Sequence, residues 1–348
     1  MREARAIMAE ARRGMAGIGT FIMDHVRMID VWPQQETLAN VATEHFSPGG
    51  LAHNLVVDVA KYEVGIPLEA VGFVGNDDDG RSIIELCTSL GVDCTHLKMT
   101  DDAPTSYTEV MTVQSNGKRT FFHSRGANNL MNADNVPYSG IKSRIAHVGY
   151  LLLMDGIDQE EPEFGTVAAK ILHHLQAEGI KTSFDTVSEF SERFKRLVPP
   201  ALKYTDYAIL NEFEAGQTTG HAILKDDKLD AQALRDSART LLDMGESEVV
   251  VVHMSLGAYA LTRAGKEYFH PSFQLPEGYI QGGAGAGDAF CAGVLVGIHE
   301  GWDMEEGLRF GTAAATLCMA DATCTEGVGT HAEAMKLFDK FPLRPSAL

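Results

Sequence analysis

Short runs of apolar residues alternate with longer segments of helical periodicity along most of the chain. Apolar runs of strand length occur at residues 15–23, 69–74, 145–150, 182–185, 207–210 and 248–253. Between them lie segments whose apolar residues recur every three to four positions, such as residues 164–178 and 230–244. This alternation predicts an α/β fold, in which helices cover a mostly parallel sheet.

A second pattern, in which strand-forming and polar residues alternate, occurs in two regions. Residues 107–113 and 119–123 flank Asn116-Gly117, which suits a type I′ hairpin because both central residues of that turn need positive φ. Residues 27–32 and 36–46 flank Pro33 in a similar way. We expect four such strands to form a small sheet, a lid, inserted at about residues 27–47 and 105–125.

The size and charge of the chain limit the classes of function. Its 348 residues, of which 45% are hydrophobic, can bury a substantial core, and we expect a single domain over residues 1–348 with an N-terminal extension at residues 1–14. The net charge is −19, and the sequence contains no run of Lys and Arg that could form a basic patch. Nucleic acid and anionic lipid surfaces repel such a chain, so we expect neither as a partner.

The cysteines and the apolar segments point to a cytoplasmic protein. The five cysteines are scattered and include no Cys-x-x-Cys pair, so neither a disulfide framework nor a zinc site is indicated. No stretch approaches the roughly 18 apolar residues of a membrane span, and residues 1–14 lack the apolar core of a secretory signal. We therefore expect a cytoplasmic location without a membrane partner.

The most informative segment is the glycine-rich run at residues 282–290, Gly-Gly-Ala-Gly-Ala-Gly-Asp-Ala-Phe, which precedes an apolar stretch. Glycine lets the backbone approach a ligand and the first amides of a helix favour negative charge, so Gly285, Ala286 and Gly287 predict a phosphate cradle. The Asp288 carboxylate would repel a phosphate, so it does not suit a simple anion site. It has a role if it takes a proton from an attacking hydroxyl while the amides hold the transferred phosphoryl group. Asp is also a favoured N-cap, so ordinary helix capping stays open.

Two motifs resemble those of the ribokinase-like, or PfkB-type, carbohydrate kinase family. The family's late signature is Asp-Thr-x-Gly-Ala-Gly-Asp before a helix, and residues 285–288 are similar to its second half. Far upstream, residues 49–54 are similar to its Gly-Gly-x-x-x-Asn and residues 71–80 to its Gly-x-x-Gly-x-Asp-x-x-Gly element. Two signatures in the right order are more specific than one, and the resemblance covers roughly residues 15–340.

The resemblance implies roles for residues outside these motifs. The residues expected to bind the substrate are Asp24, Gly49, Gly50, Asn54 and Asn128. The residues expected to bind the nucleotide are Asn211, Glu214, Ser255, Gly257 and Thr312. Asn211 and Glu214 are similar to an Asn-x-x-Glu motif associated with magnesium, which they would hold through water. Both Asp24 and Asn211 follow predicted strands, and open α/β sheets bind ligands at carboxyl ends of strands.

The resemblance also implies a fold and an activity. The fold would be a three-layer ribokinase-like sandwich with a small β-sheet lid. The activity would be phosphorylation of a primary hydroxyl of a sugar by ATP and Mg²⁺, with Asp288 as the general base. A ribose- or fructose-type sugar is favoured because residues 126–128 are similar to a ribokinase segment. A nucleoside or sugar-acid kinase and a non-catalytic ligand-binding relative stay open, and a homodimer through the lid is compatible with the resemblance.

Two departures from the family pattern predict differences in ligand use. Residues 282–284 replace the Asp-Thr-x that precedes Gly-Ala-Gly-Asp, and in many relatives that Asp helps to bind potassium. Because the carboxylate and the hydroxyl are both missing, we expect potassium dependence to be weak or absent, unless Glu326 or another nearby carboxylate restores the site. Thr312 stands where the family commonly has Asn, so the adenine contacts are expected to differ.

Overall fold

The computed structural model of the protein describes residues 12–115, 117–225 and 228–348. Seventeen strands occur within these ranges. In chain order they are β1 (Met15–Gly19), β2 (Ile22–Ile29), β3 (Val41–Gly49), β4 (Leu68–Gly75), β5 (Asp93–Thr100), β6 (Ser106–Val113), β7 (Arg119–Ser124), β8 (Ile145–Leu151), β9 (Glu160–Glu161), β10 (Gly165–Thr166), β11 (Lys181–Thr186), β12 (Tyr207–Asn211), β13 (Leu224–Lys225), β14 (Lys228–Leu229), β15 (Val249–Met254), β16 (Gly257–Thr262) and β17 (Glu267–Pro271).

Ten α-helices accompany the strands in the same ranges. They are α1 (Leu51–Lys61), α2 (Asp78–Ser89), α3 (Val167–Ala177), α4 (Arg193–Leu202), α5 (Glu212–Thr219), α6 (Ala231–Met244), α7 (Ala286–Glu300), α8 (Met304–Cys318), α9 (His331–Met335) and α10 (Leu337–Lys340). Side chains cap several of them, for example Asp77 before α2 and Asp230 before α6. The helix α7 has no side-chain cap, so its first amides stay open to a ligand.

The central sheet has nine strands in the order β17–β16–β15–β12–β11–β8–β1–β4–β5. The strands from β15 to β5 are parallel, whereas β16 and β17 form an antiparallel edge. After β1, the chain adds β4 and then β5 on one side of β1. It then adds β8 on the other side, followed by the remaining strands. The strand order therefore reverses between β1 and β8, and open α/β sheets bind ligands at the carboxyl ends of the strands near such a point.

Alternate residues of the central strands pack into two separate hydrophobic cores. In β12, Tyr207 and Ile209 belong to one core, which α1, α7 and α8 cover, while Ala208 and Leu210 belong to the other, which α3, α4 and α6 cover. Both faces of the sheet are thus buried, which is why its strands read as continuous apolar runs. The predicted α/β architecture with a mostly parallel sheet is confirmed.

A second sheet of four strands, in the order β3–β2–β6–β7, lies beside the central one. Its middle strands β2 and β6 are parallel, and the outer pairs are antiparallel. The strands predicted at residues 107–113 and 119–123 are confirmed as β6 and β7. We name this element the small sheet.

The other two strands of the small sheet are not where the sequence pattern placed them. Strands were expected at residues 27–32 and 36–46, whereas β2 begins at Ile22 and β3 begins at Val41. The Asp30 carboxylate accepts hydrogen bonds from the backbone N–H of Val31 and of Asn40 at 2.8 and 3.0 Å. These bonds close the intervening segment into a loop, so its alternating residues do not form a strand.

The single strand predicted at residues 15–23 is also wrong, because the chain turns within it. Gly19 has φ +128°, and a Cβ atom there would collide with the carbonyl oxygen of Gly149. The chain therefore leaves the central sheet after β1 and enters the small sheet at Ile22. Asp24, which was expected at the carboxyl end of the first central strand, lies within β2 instead.

Two expectations fall partly outside the described residues. The N-terminal extension was placed at residues 1–14, of which residues 1–11 are not described, and the proposed hairpin turn includes Asn116, which is not described either. The single-domain boundaries and the inserted lid stay predictions. In the described part of the chain, no helix is both long enough and apolar enough to cross a bilayer.

Candidate active site

The helix α7 begins in the glycine-rich segment at residues 282–290. Its N-cap residue Gly285 has φ +78°, and a Cβ atom there would collide with the carbonyl oxygen of Cys324. Only glycine fits this turn without strain. Because no side chain caps the helix, the amides of Ala286 and Gly287 can bind an anion, which the positive end of the helix also favours.

Asp288 lies in the first turn of α7, and its carboxylate is buried. The Tyr150 hydroxyl donates to it and lies 2.7 Å from each carboxylate oxygen, and the Asn54 amide donates to Oδ2 at 2.7 Å. Burial raises the pKa of Asp288, and the two hydrogen bonds offset part of that rise. The carboxylate is thus oriented by two donors and is more basic than an exposed aspartate, as a general base requires.

Asp24 is a second carboxylate of the site; it is partly buried and faces the site from β2 of the small sheet. The Cys324 thiol donates to its Oδ2 at 3.4 Å. Burial raises the pKa of Asp24 to about 6, and the hydrogen bond from Cys324 lowers it by less. A Cβ atom at Gly49 would lie 2.5 Å from Asp24 Oδ2, so glycine is needed at position 49 to leave room for the carboxylate.

Two cavities meet beside the start of α7. The larger, the acceptor cavity, has a volume of about 720 Å³ and lies between the small sheet and the carboxyl ends of the central strands. The smaller, the nucleotide cavity, has a volume of about 440 Å³ and lies between the β15–β16 turn and α8. Ser188, Asn211, His253 and Gly287 line both cavities. Ligands in the two cavities can therefore meet at Gly287, next to Asp288.

Of the residues expected to bind a sugar, Asp24, Gly50 and Asn54 line the acceptor cavity. Gly49 does not line it and leaves room for the Asp24 carboxylate instead, and Asn128 does not line it either. Its side chain accepts from the Phe21 backbone N–H and donates to the Phe21 carbonyl, each at 3.2 Å, and it is buried. The structure thus places Asn128 where it orients the connection between β1 and β2.

Four polar side chains lie at the carboxyl ends of adjacent parallel strands and line the acceptor cavity. They are Tyr150 in β8, Asp185 in β11, Asn211 in β12 and His253 in β15. The motifs identify only Asn211 among them. A signal for the other three is present in the sequence, because each one closes a predicted strand, at residues 145–150, 182–185 and 248–253.

Asn211 and Glu214 form a capping box at the start of α5. Asn211 Oδ1 accepts from the Glu214 N–H at 2.9 Å, and Glu214 Oε2 accepts from the Asn211 N–H at 3.1 Å. The Ser188 hydroxyl donates to Glu214 Oε1 at 2.8 Å. Burial raises the pKa of Glu214, and burial and the Glu214 charge both raise the pKa of Asp185. Two carboxyl groups therefore share a buried region and disfavour each other's ionisation.

The oxygen atoms of this region fit Mg²⁺. This ion binds oxygen ligands, keeps several waters and typically contacts one or two carboxylates together with substrate phosphates. Glu214 and Asp185 supply the carboxylates beside the junction of the two cavities. Within the described ranges, no cluster of three or more His, Cys, Asp and Glu side chains could hold a metal ion directly.

The nucleotide cavity contains the remaining residues expected to bind the nucleotide. Ser255 and Gly257 lie at the turn between β15 and β16, and Thr312 lies on α8. Phe213 and Phe290 add aromatic surface to the walls. An apolar wall beside the open amides of α7 offers a surface for a base and donors for phosphates.

The sequence is similar to those of known carbohydrate kinases. The model of the pfkB family carbohydrate kinases matches residues 15–330. A 5-dehydro-2-deoxygluconokinase of Clostridium perfringens is 24% identical over 295 residues, which cover 84% of this chain and 83% of the relative. An ATP-dependent ribose-1-phosphate kinase of Halopiger xanaduensis is 26% identical over 289 residues, which cover 83% of this chain and 86% of the relative.

Solved structures of ribokinases share the fold. The ribokinase of Arabidopsis thaliana, complexed with ribose and ATP, superposes with a TM-score of 0.76 at 22% identity, covering 94% of this chain and 98% of that chain. The ribokinase of Thermotoga maritima gives a TM-score of 0.75 at 20% identity, covering 94% and 99%. The predicted ribokinase-like fold is therefore confirmed. Since the family model spans most of the chain, this protein belongs to the pfkB family and is a carbohydrate kinase.

Proposed function

We propose that this kinase transfers the γ-phosphoryl group of ATP to a primary hydroxyl of a sugar-type acceptor, with Asp288 as the general base. The acceptor oxygen forms a bond to the γ-phosphorus, the bond from that phosphorus to the β–γ bridging oxygen breaks, and ADP leaves. The hydroxyl proton passes to Asp288. The observation that carries the proposal is the position of this buried, doubly hydrogen-bonded carboxylate beside the junction of the two cavities.

The groups around Asp288 support the remaining parts of the reaction. The open amides of Gly285, Ala286 and Gly287 lie where negative charge develops on the transferred group, and such preorganised donors stabilise a transition state. Mg²⁺, bound through water by Asn211 and Glu214, would neutralise charge on the phosphates of ATP. In the acceptor cavity, Asp24, Gly50 and Asn54 offer partners to sugar hydroxyls.

The class of sugar is the finer part of the proposal. A ribose- or fructose-type acceptor follows from the similarity of residues 126–128 to a ribokinase segment, and the A. thaliana structure contains ribose. The relatives named as 5-dehydro-2-deoxygluconokinase and ribose-1-phosphate kinase favour a sugar acid or a sugar phosphate as the alternative. A nucleoside is a further candidate acceptor. The intact Asp288 site argues against a non-catalytic ligand-binding relative.

A screen of acceptors tests the function directly. ADP release is measured with Mg-ATP over pentoses, hexoses, sugar acids, sugar phosphates and nucleosides. We expect acceptor-dependent ADP release with at least one class and no release without an acceptor. A folded protein that binds ATP but releases no ADP with any acceptor would favour the ligand-binding alternative.

A homodimer through the small sheet is compatible with its surface. Trp32 and Phe122 stack with ring centroids 6.1 Å apart, and both are about half exposed. Exposed aromatic side chains that lie together are typical of interfaces. Light scattering of the protein and of a Phe122→Ser variant tests this arrangement. A wild-type protein that is monomeric at assay concentrations would contradict it.

A further inference from the structure

The small sheet presents three rows of side chains to the acceptor cavity. Strand register aligns Asp24 of β2 with Thr108 of β6 and His123 of β7, and all three line the cavity. Thr108 Oγ1 and His123 Nδ1 are hydrogen-bonded at 3.0 Å. Burial is the main cause that lowers the pKa of His123 to about 4, so its ring is neutral at pH 7. This inner row is polar and carries the charge of Asp24 at its end.

The next two rows lie farther from Asp24 and differ from the inner row in polarity and charge. Val26, Val110 and Phe121 are aligned in an apolar middle row. Met28, Thr112 and Arg119 are aligned in the outer row. Because residues on one face of a strand repeat every two positions at about 3.3 Å per residue, the outer row lies roughly 13 Å along the strands from the inner row.

Among the described residues that line the acceptor cavity, Arg119 is the one with a permanent positive charge. The other basic side chains among the described lining residues are His123 and His253, and burial lowers the pKa of each to about 4. Arg119 is partly buried at the outer end and reaches toward Gly282, where a Cβ atom would lie 2.9 Å from Nη2. Glycine at position 282 thus leaves space for the Asp321 carbonyl and for the guanidinium.

The surroundings of Arg119 differ from those of two other arginines in this region. Arg27 pairs with Glu44 and Glu109, and Arg125 pairs with Asp155 at 2.7 Å. No described carboxylate forms an ion pair with Arg119, although the chain has a net charge of −19. Its five guanidinium N–H donors are therefore available to a ligand in the cavity.

Charge separates the two ends of the acceptor cavity. Asp24, Asp185, Glu214 and Asp288 line the inner part, and Arg119 lies at the outer end. With a pKa of about 6, Asp24 is mostly ionised at pH 7 and would repel an anionic group on the acceptor, whereas the guanidinium would attract it. Such an acceptor would enter with its charged end outward, which leaves a distal hydroxyl group next to Asp288.

We propose that the acceptor carries a carboxylate or phosphate group at the end remote from the phosphorylated hydroxyl, and that Arg119 binds this anionic group. The proposal rests on the kinase function proposed for this site. Arg suits the role because its planar fork binds the two oxygens of either anion at once. Arg119 thereby determines both the class of acceptor and its orientation.

Matched acceptors test the charge requirement and its source. D-Gluconate is compared with D-gluconamide, and α-D-ribose 1-phosphate with methyl α-D-riboside, with kcat/KM measured from ADP release in Mg-ATP. Calorimetric titration measures the binding of the same four compounds without relying on turnover. We expect the anionic member of at least one pair to be preferred roughly tenfold or more in kcat/KM and in affinity. The preferred pair identifies carboxylate or phosphate as the recognised group.

The variant Arg119→Gln removes the charge and keeps a polar side chain of similar length. We expect it to lower kcat/KM and affinity for the preferred anionic acceptor roughly ten- to hundredfold and to leave the neutral counterpart nearly unchanged. Arg119→Lys keeps the positive charge, so its loss of kcat/KM and affinity should be smaller than that of Arg119→Gln. The matched control Arg125→Gln removes a cation of the adjoining segment that pairs with Asp155, and it should leave the charge preference unchanged.

The outcomes separate this proposal from the kinase function. Turnover or binding that ignores the charge of the acceptor, or an Arg119→Gln variant that weakens charged and neutral acceptors equally, overturns the role of Arg119 and leaves the kinase function intact. Charge-selective binding that Arg119→Gln removes, without ADP release from any acceptor, supports the role of Arg119 and contradicts the proposed reaction. Absence of binding by both anionic acceptors overturns the proposal.

Discussion

The central sheet and the small sheet meet at the acceptor cavity but are built differently. Central strands such as β12 and β15 are buried on both faces, and they present polar groups to the cavity only near their carboxyl ends, at Asn211 and His253. The small sheet lines the cavity with one face along the length of β2, β6 and β7. Six of the nine residues of its edge strand β3 are exposed.

This difference assigns separate tasks to the two sheets. Groups at the ends of buried strands and at the start of α7 are fixed by two packed cores, and precise positioning is what the chemical step requires. Groups along the face of the small sheet can change singly without disturbing a core. The structure thus supports catalysis by the central sheet and α7, and choice of acceptor by the small sheet.

The largest effect is expected at Asp288, on the catalytic side of this comparison. Asp288→Asn removes the proposed base and keeps the size of the side chain, so kcat should fall about 10²- to 10⁴-fold while binding of ATP and acceptor is largely kept. Steady-state rates and calorimetry measure the two quantities. The matched control is Asp236→Asn, at an exposed position on α6 away from both cavities. A kcat near that of the wild type in Asp288→Asn would contradict the assignment.

A smaller effect, mainly on binding, is expected at Asp24 on the small sheet. Asp24→Ala removes a partly buried acceptor of hydrogen bonds. Each unpaired hydroxyl in a closed site costs about 1–3 kcal/mol, so acceptor affinity should fall roughly ten- to hundredfold. Titration calorimetry with the best acceptor measures the loss. Asp102→Ala, at an exposed bend between β5 and β6, serves as the control. Unchanged affinity in Asp24→Ala would mean that the acceptor lies elsewhere.

Tyr150 sharpens the comparison, because its role on the catalytic side is to position the base. In Tyr150→Phe, Asp288 loses a hydrogen-bond donor that lowers the pKa of its carboxyl group. The pKa of Asp288 should therefore rise. The carboxylate then ionises only at higher pH, and the acid limb of the kcat/KM profile should move to higher pH, with about a tenfold loss of kcat. Tyr138→Phe loses a comparable hydroxyl hydrogen bond, to the Ala133 carbonyl, outside both cavities. An identical pH profile in Tyr150→Phe and the wild type would exclude this role.

The two sheets also differ in how far their sequences predict them. Buried strands of the central sheet read as apolar runs, and those at residues 145–150 and 207–210 were placed within one residue at each end. In the small sheet, the alternating pattern continues through the loop that Asp30 closes, so it does not mark where β2 ends or β3 begins. A closing hydrogen bond between distant residues cannot be read from local periodicity.

The candidate site shows the same limit. Local motifs identify Gly285 to Asp288, because one helix start brings these residues together. The partners of Asp288 come from α1 and β8, so only the folded chain shows that Asn54 and Tyr150 donate to it. The role of Arg119 depends on which face of the small sheet lines the cavity. Alternation groups Arg119 with Phe121 and His123 but does not say which way that group faces.

The smallest effect is expected from potassium, because the turn before α7 offers no side chain that would bind it. Residues 282–284 supply no side-chain oxygen. Glu326 is the carboxylate proposed to replace the missing one. Its side chain is 58% exposed, and its Oε1 lies 3.9 Å from His45 Nε2. Residues 282–284 thus supply no negative charge that would attract a cation. Initial rates in potassium, sodium and a bulky organic cation at constant ionic strength should therefore agree closely, and Glu326→Gln should change none of them. A severalfold, saturable activation that only potassium gives would show that other groups rebuild the site, and its loss in Glu326→Gln would identify that carboxylate as the substitute.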